Sequence, residues 1–319
     1  MIIIVSAVIA IVPMLIYLFL IWQFDRYDRE PISLVLLNYF WGAVGAIFLA
    51  YIGVNYLLKF ISIFIDNPQT MDYAQSFFAA PLVEEITKGA FLFLTIKNLK
   101  FDNLTDGIVY GGAIGLGFGM TENFLYFITY SNTLSQWLTI IVIRTLFSAV
   151  MHGVATATLG AMLGYSKFRP GKSKVFYGLI GLCNAIFIHF AWNITISFES
   201  TAVLGLLFLI FTVAIFIVIF SISLNREKKI IFTELKGETE LGLIPESHLN
   251  ILNSIKRTKK GWIDENIRRP YTKATTTLAF RKLQYKNSVG NSKIFYENEV
   301  EHYRNFIKNL LKKTEINEK

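Results

Sequence analysis

Two adjacent carboxylates followed by a lysine, Glu84-Glu85-Ile86-Thr87-Lys88, lie inside an otherwise apolar stretch. Lys88 follows Glu84 by four residues and Glu85 by three, so on a helix it can pair with either one. If one glutamate is engaged in this way, the other is left for chemistry. Three further places carry polar groups in apolar surroundings. The first is Glu122-Asn123, just past glycines 111, 115 and 119. The second is the stripe Arg144, Ser148, His152 and Thr156 at spacing four. The third is His189-Phe190-Ala191-Trp192-Asn193, with His189 and Asn193 one turn apart. Ionisable groups at membrane depth cost several kcal/mol, roughly 3 on insertion scales, so they mark an interior cavity and a function. A carboxylate can deprotonate water and a second acid can protonate a leaving amine, while His or Asn can hold an oxyanion. That inventory suits amide hydrolysis. His152 and His189 with Glu85 or Glu122 could instead hold one divalent metal such as zinc for the same purpose. The scattered donors and the His189–Asn193 spacing favour the metal-free form. No serine elbow, Cys–His pair or facing Asp pair is visible.

The elements that must position these residues are membrane helices. The chain has 319 residues, 53% apolar and 15% aromatic, and apolar runs of about 20 residues, enough to cross a bilayer, recur up to position 224. The expected fold is all-α, a polytopic bundle of about seven spans near 2–22, 32–58, 75–97, 106–130, 137–164, 174–196 and 202–224. Pro81, lacking an amide hydrogen, suits the first turn of its helix, where the helix dipole would favour Glu84 and Glu85. The domains expected are 1–224 in the membrane and 225–319 as a basic cytosolic tail or small domain. That tail holds 20 of the 31 Lys and Arg and 12 of the 23 Asp and Glu, hence the whole net charge of +8. Beside anionic lipid such a charge needs no nucleic-acid partner. Apolar residues at helical spacing over Ile294–Lys313 predict a helix there, in an appendage with no catalytic motif.

Loop charge sets the orientation. The loops around Arg26 and Arg29, around Lys97 and Lys100, and around Lys167, Arg169, Lys172 and Lys174 are basic, as is the tail; the alternate loops carry no cations. The positive-inside pattern puts the N-terminus outside and the C-terminus in the cytoplasm of a cell (inner) membrane. Counted at about 1.5 Å per residue from the outer helix ends, Glu84 and Glu122 lie roughly 12–14 Å deep and His189 and Asn193 roughly 5–11 Å. His152 joins them if its span starts near Ile143. The cavity so formed opens outward.

The ordered set Glu84-Glu85-x-x-Lys88, Phe118-x-x-x-Glu122-Asn123, His152-x-x-x-Thr156 and His189-x-x-Trp192-Asn193 resembles the PrsW family of intramembrane proteases, within the wider ABI group of the type II CAAX prenyl proteases. The segment Asp25-Arg26-Tyr27-Asp28-Arg29-Glu30-Pro31 resembles one common in that family. The resemblance implies an intramembrane endopeptidase cutting a single-span, anti-sigma-factor-like membrane protein on its extracytoplasmic side. The reading assigns Glu84 or Glu85 as the base and Glu122 as partner acid or ligand. His152, His189 and Asn193 become oxyanion donors or ligands, with Lys88, Asn123, Arg144 and Trp192 in support. A proton-coupled transporter would use similar residues, but no inverted repeat or paired broken helix is seen. A catalytically inactive scaffold would keep the same cavity.

Overall fold

The computed structural model describes residues 2–27, 29–98, 100–130, 133–169 and 171–317. Asp28 of the juxtamembrane segment and the C-terminal Lys319 lie outside the described residues. Among these, ten helices and no strand are found. Seven long helices come first: α1 (Ile2–Phe24), α2 (Ile32–Ile61), α3 (residues 68–95), α4 (Leu104–Thr129), α5 (Leu134–Ser166), α6 (Gly171–Ile196) and α7 (Glu199–Glu240). α8 (Glu246–Leu252), α9 (Glu265–Asn287) and α10 (Asn291–Asn317) follow. By length and hydropathy α1, α2, α5, α6 and α7 can each cross a membrane. α3 and α4 are less apolar because they carry the intramembrane charges and much of the glycine. α4 is buried continuously from Thr105 to Gly119, so it faces protein and has less need of lipid-facing side chains. The chain is a multi-pass membrane protein.

The glycines of α4 explain why the site can close. Gly115 lies so near α5 that a methyl group there would overlap the carbonyl oxygen of His152, and one at Gly117 would overlap that of Tyr39 on α2. Small residues let the backbones approach, and Glu122, one turn beyond Gly119, is thereby brought beside His152. Gly115→Ala should cost on the order of 3 kcal/mol by overpacking against a rigid backbone, with activity lost together with a lower unfolding midpoint in detergent. An unchanged midpoint would contradict this account of the packing.

Three of the long helices contain a wide π turn: Trp41–Ala46 in α2, Ala74–Ala79 in α3 and Arg144–Ser148 in α5. Such turns interrupt the 3.6-residue register and are frequent at functional sites. One expectation is corrected here. Pro81 is not in the first turn of its helix: α3 begins thirteen residues earlier at Pro68, capped by Asn67, whose Oδ1 accepts from the Thr70 amide at 3.0 Å. Pro81 follows the π turn directly, where the disturbed hydrogen-bond ladder tolerates a missing N–H. Glu84 and Glu85 therefore owe nothing to a helix dipole.

The chain forms two compact units, Met1–Asp25 with Glu30–Phe220, and Arg26–Arg29 with Ser221–Lys319. α7 runs past the expected boundary at 224 to Glu240, and the expected C-terminal helix is present as α10. The second unit has its own apolar core, with Leu235, Ile244, Tyr271, Leu278, Phe280 and Ile307 fully enclosed. Tyr27 joins it under the Arg257 guanidinium, 4.4 Å from the ring centroid. Burial alone would raise the Glu238 carboxyl, but hydrogen bonds from Arg304 and Lys282 outweigh it and hold the pKa below the usual value. A depressed carboxylate stabilises the fold above its unfolded pKa (about 4.3) and loses that contribution as pH falls through the folded value. Glu238→Gln should therefore lower the unfolding midpoint at pH 7, with the difference from wild type shrinking on acidification. A difference independent of pH would contradict this.

Candidate active site

Glu84 and Glu85 are neighbours on α3 with different surroundings. Glu85 is wholly buried. Its Oε1 accepts from Lys88 Nζ at 2.7 Å and from His189 Nδ1 at 3.0 Å, and its Oε2 accepts from Thr156 Oγ1 at 3.2 Å. Glu84 faces a cavity of about 660 Å³ whose wall includes Glu122, Arg144, His152, His189, Trp192 and Asn193. Its Oε2 is buried without a hydrogen-bond partner; Lys88 Nζ stands 3.5 Å away, too far for a good bond. Adjacent helical residues point about 100° apart, so one glutamate lines the cavity and the other lies behind it.

Lys88 is fully buried, over the Phe118 ring at 3.9 Å. Besides Glu85 it contacts His152 Nδ1 at 2.9 Å. An ammonium has only donors, so His152 Nδ1 accepts, and the ring hydrogen sits on Nε2, which donates to Glu122 Oε2 at 2.7 Å. Glu122 Oε2 also receives Arg144 Nη2 at 2.5 Å. Arg144 Nε donates to Asn123 Oδ1 at 3.1 Å, Asn123 Nδ2 returns a bond to the Arg144 carbonyl at 3.3 Å, and the guanidinium lies 3.6 Å over the Tyr126 ring. The cation is thus held on three sides, with Glu122 held in turn.

His189 has the opposite tautomer. Glu85 accepts from Nδ1, so Nε2 carries a lone pair, and it lies 3.9 Å from Glu84 Oε2. A carboxylate oxygen and an imidazole lone pair that close are suited to a shared cation. The His152 and His189 rings meet edge to face, 4.7 Å between centroids. Glu84, His152 and His189 each place one ligand atom within 4.8 Å of the others'. Glu, His and His are the donors of hydrolytic zinc sites, and Glu85 behind His189 is the carboxylate that typically orients such a histidine. Glu84 Oε2 and His189 Nε2 have no hydrogen bond, whereas His152 would have to release Lys88 or Glu122 to join them as a ligand. Of the four ligands expected from sequence, the histidines belong to this group; Glu85 and Glu122 are committed elsewhere and Glu84 stands in their place.

Trp192 is buried against Phe147. Asn193 lines the cavity, and its Nδ2 donates one hydrogen bond to the Ser76 carbonyl at 2.9 Å. Sequence reasoning gave no role to Tyr126 or Ser76. The aromatic one turn after Glu122 was a usable sign for the first; a backbone carbonyl carries no sign in its residue type.

This geometry can be set beside known proteins. A family described as "PrsW family intramembrane metalloprotease" matches residues 30–222, more than half of the chain. The chain belongs to the PrsW family. Protease PrsW of Clostridioides difficile (strain 630) is 29% identical over 231 residues, 71% of this chain and 94% of that protein. Protease PrsW of Bacillus subtilis (strain 168) is 28% identical over 174 residues, 54% and 74% of the two chains, and that of Oceanobacillus iheyensis is 30% identical over 167 residues, 51% and 70%. No solved structure matches the chain. The protein is therefore a peptidase of the PrsW family. The family's description as one of metalloproteases counts against the metal-free form favoured from the sequence. The match ends at residue 222, so the α8–α10 segment lies beyond it.

Proposed function

We propose that this PrsW protein is a metal-dependent intramembrane endopeptidase that cuts a single-span, anti-sigma-factor-like membrane protein near the extracytoplasmic side of the cell membrane. The observation that carries the reading is the pair Glu84 Oε2 and His189 Nε2, two acceptors 3.9 Å apart in a cavity wall, the carboxylate oxygen buried and without a hydrogen bond. Glu84, His152 and His189 would hold the ion. A divalent ion such as zinc held there would supply Lewis acidity toward a peptide carbonyl and a lowered pKa for water.

The remaining roles follow from the contacts of each side chain. Glu85 holds His189 by Nδ1, which keeps the Nε2 lone pair aimed at the cavity. Lys88 neutralises the buried Glu85 carboxylate, without which its charge would be prohibitively costly. Glu122, one-fifth exposed in the cavity wall, is the carboxylate placed to take a proton from water and return it to the leaving amine. This departs from Glu84 or Glu85 as the base: Glu85 is wholly buried behind the cavity wall, Glu84 stands among the donors, and Glu122 is the remaining carboxylate the cavity reaches. Arg144 and Asn123 fix its orientation.

Cleavage is tested by co-expressing candidate single-span proteins with wild type and with Glu84→Gln, and reading new N-termini by mass spectrometry. Products formed by wild type and absent from the variant support the proposal; products equal in both overturn it. The side of the membrane is tested separately. By the loop charges, a reporter fused after Lys319 should read cytoplasmic and one inserted near Asn67 external. The reverse readings would remove the extracytoplasmic assignment and leave the chemistry standing.

A further inference from the structure

The hydrogen bond from Asn193 Nδ2 to the Ser76 carbonyl, 2.9 Å long, joins α6 to the π turn of α3. The order of residues explains why that carbonyl is available. In the turn Ala74–Ala79 the pattern is i to i−5, and the amide of Ala80 donates to Gln75 O. The next amide in the same pattern, that of residue 81, would reach Ser76 O. Residue 81 is proline and has no N–H. That carbonyl is therefore left without a main-chain donor, and the side chain of Asn193 provides one. The turn, the proline and the asparagine make one device.

We propose that Ser76 and Pro81 are positioning residues for Asn193. The carbonyl that Pro81 leaves without a backbone donor takes one of the two amide hydrogens of Asn193. Because the carboxamide is planar, this fixes its plane and leaves the other hydrogen for a carbonyl oxygen of an extended substrate backbone. Asn193 shares the cavity wall with Glu84 and His189, where such an oxygen would be attacked. The substrate half of this inference rests on the proposed function; the hydrogen-bond half rests on geometry alone.

A double-mutant cycle on the full-length protein in detergent tests the geometric half without any substrate. Asn193→Ala should lower the thermal midpoint in the wild-type background, because it removes the hydrogen bond that joins α6 to α3. In the Pro81→Ala background the new backbone amide serves that carbonyl, and Asn193→Ala should shift the midpoint much less. Additive shifts would overturn the proposal. The substrate half is read with fluorescently labelled casein as the probe. Asn193→Ala should lower kcat by about 10²–10³-fold, and Pro81→Ala should lower kcat at least tenfold, with KM unchanged in both. A Pro81→Ala enzyme with wild-type kcat would overturn the positioning role. Failure of wild type to cut casein would overturn the substrate half as stated for an extended backbone, and leave the proposed function to the co-expression test and the hydrogen bond to the cycle.

Discussion

Glu84→Gln is expected to abolish cleavage, with a rate loss of at least about 10³-fold, together with loss of the bound ion, while Glu85→Gln should weaken ion binding without abolishing it. Glu84 offers an oxygen without a hydrogen bond to the donor group in the cavity, and replacing it with an amide would remove the proposed charged ligand. An incomplete ligand set loses metal and activity together. Glu85 acts one layer back, through His189 Nδ1, and loss of such an orienting group typically costs about 10–100-fold in affinity. Glu85→Gln has a second cost: Lys88, fully buried, loses the partner at 2.7 Å, so its unfolding midpoint should fall as well. The comparison is made by metal analysis and unfolding midpoints of the two purified variants. Equal metal loss in both, with equal stability, would mean that the two glutamates do not occupy separate layers.

Glu122→Gln should separate proton transfer from ion binding. A general base contributes about 10²–10⁴-fold, so the rate should fall by that factor while the protein keeps its metal. Arg144→Ala should reduce the rate through misplacement of Glu122, since the guanidinium that anchors it is gone. Arg144→Lys should restore the charge but not the arrangement, because a lysine cannot bridge Glu122 and Asn123 as the planar fork does. Loss of metal in Glu122→Gln would transfer Glu122 to the ligand set, where the sequence reading first considered it.

How much of this could be read from the sequence varies with the kind of signal. The seven long helices begin close to the positions expected from apolar runs of bilayer length, although α7 continues well past 224 to Glu240. The residues that converge, Glu84, Glu85, Glu122, His152 and His189, announced themselves as ionisable groups where such groups are costly. Their division of labour did not. Glu84 and Glu85 are one residue apart, and only the positions of Lys88, Thr156 and His189 in space decide which of them faces the cavity. The π turns were equally hidden: Arg144 and Ser148 mark a polar stripe but not a wide turn, Ala74–Ala79 carries no sign at all, and such a turn changes register without changing hydropathy. Pro81 is the one mark of the turn in α3, and its residue type points first to a helix start, where proline is over-represented. Asn193 was expected beside His189 from the spacing of four. It is on that face, but its amide answers a main-chain carbonyl, and no side-chain pattern encodes such a partner.

The central claim is that Glu84, His152 and His189 form a metal site on which peptide cleavage depends. The most direct measurement is the metal content of active, purified wild-type protein beside that of His189→Ala. The account predicts close to one divalent ion per chain in wild type, inhibition by a strong chelator, and loss of both metal and cleavage in His189→Ala. Active wild-type protein free of metal and indifferent to chelators would contradict it.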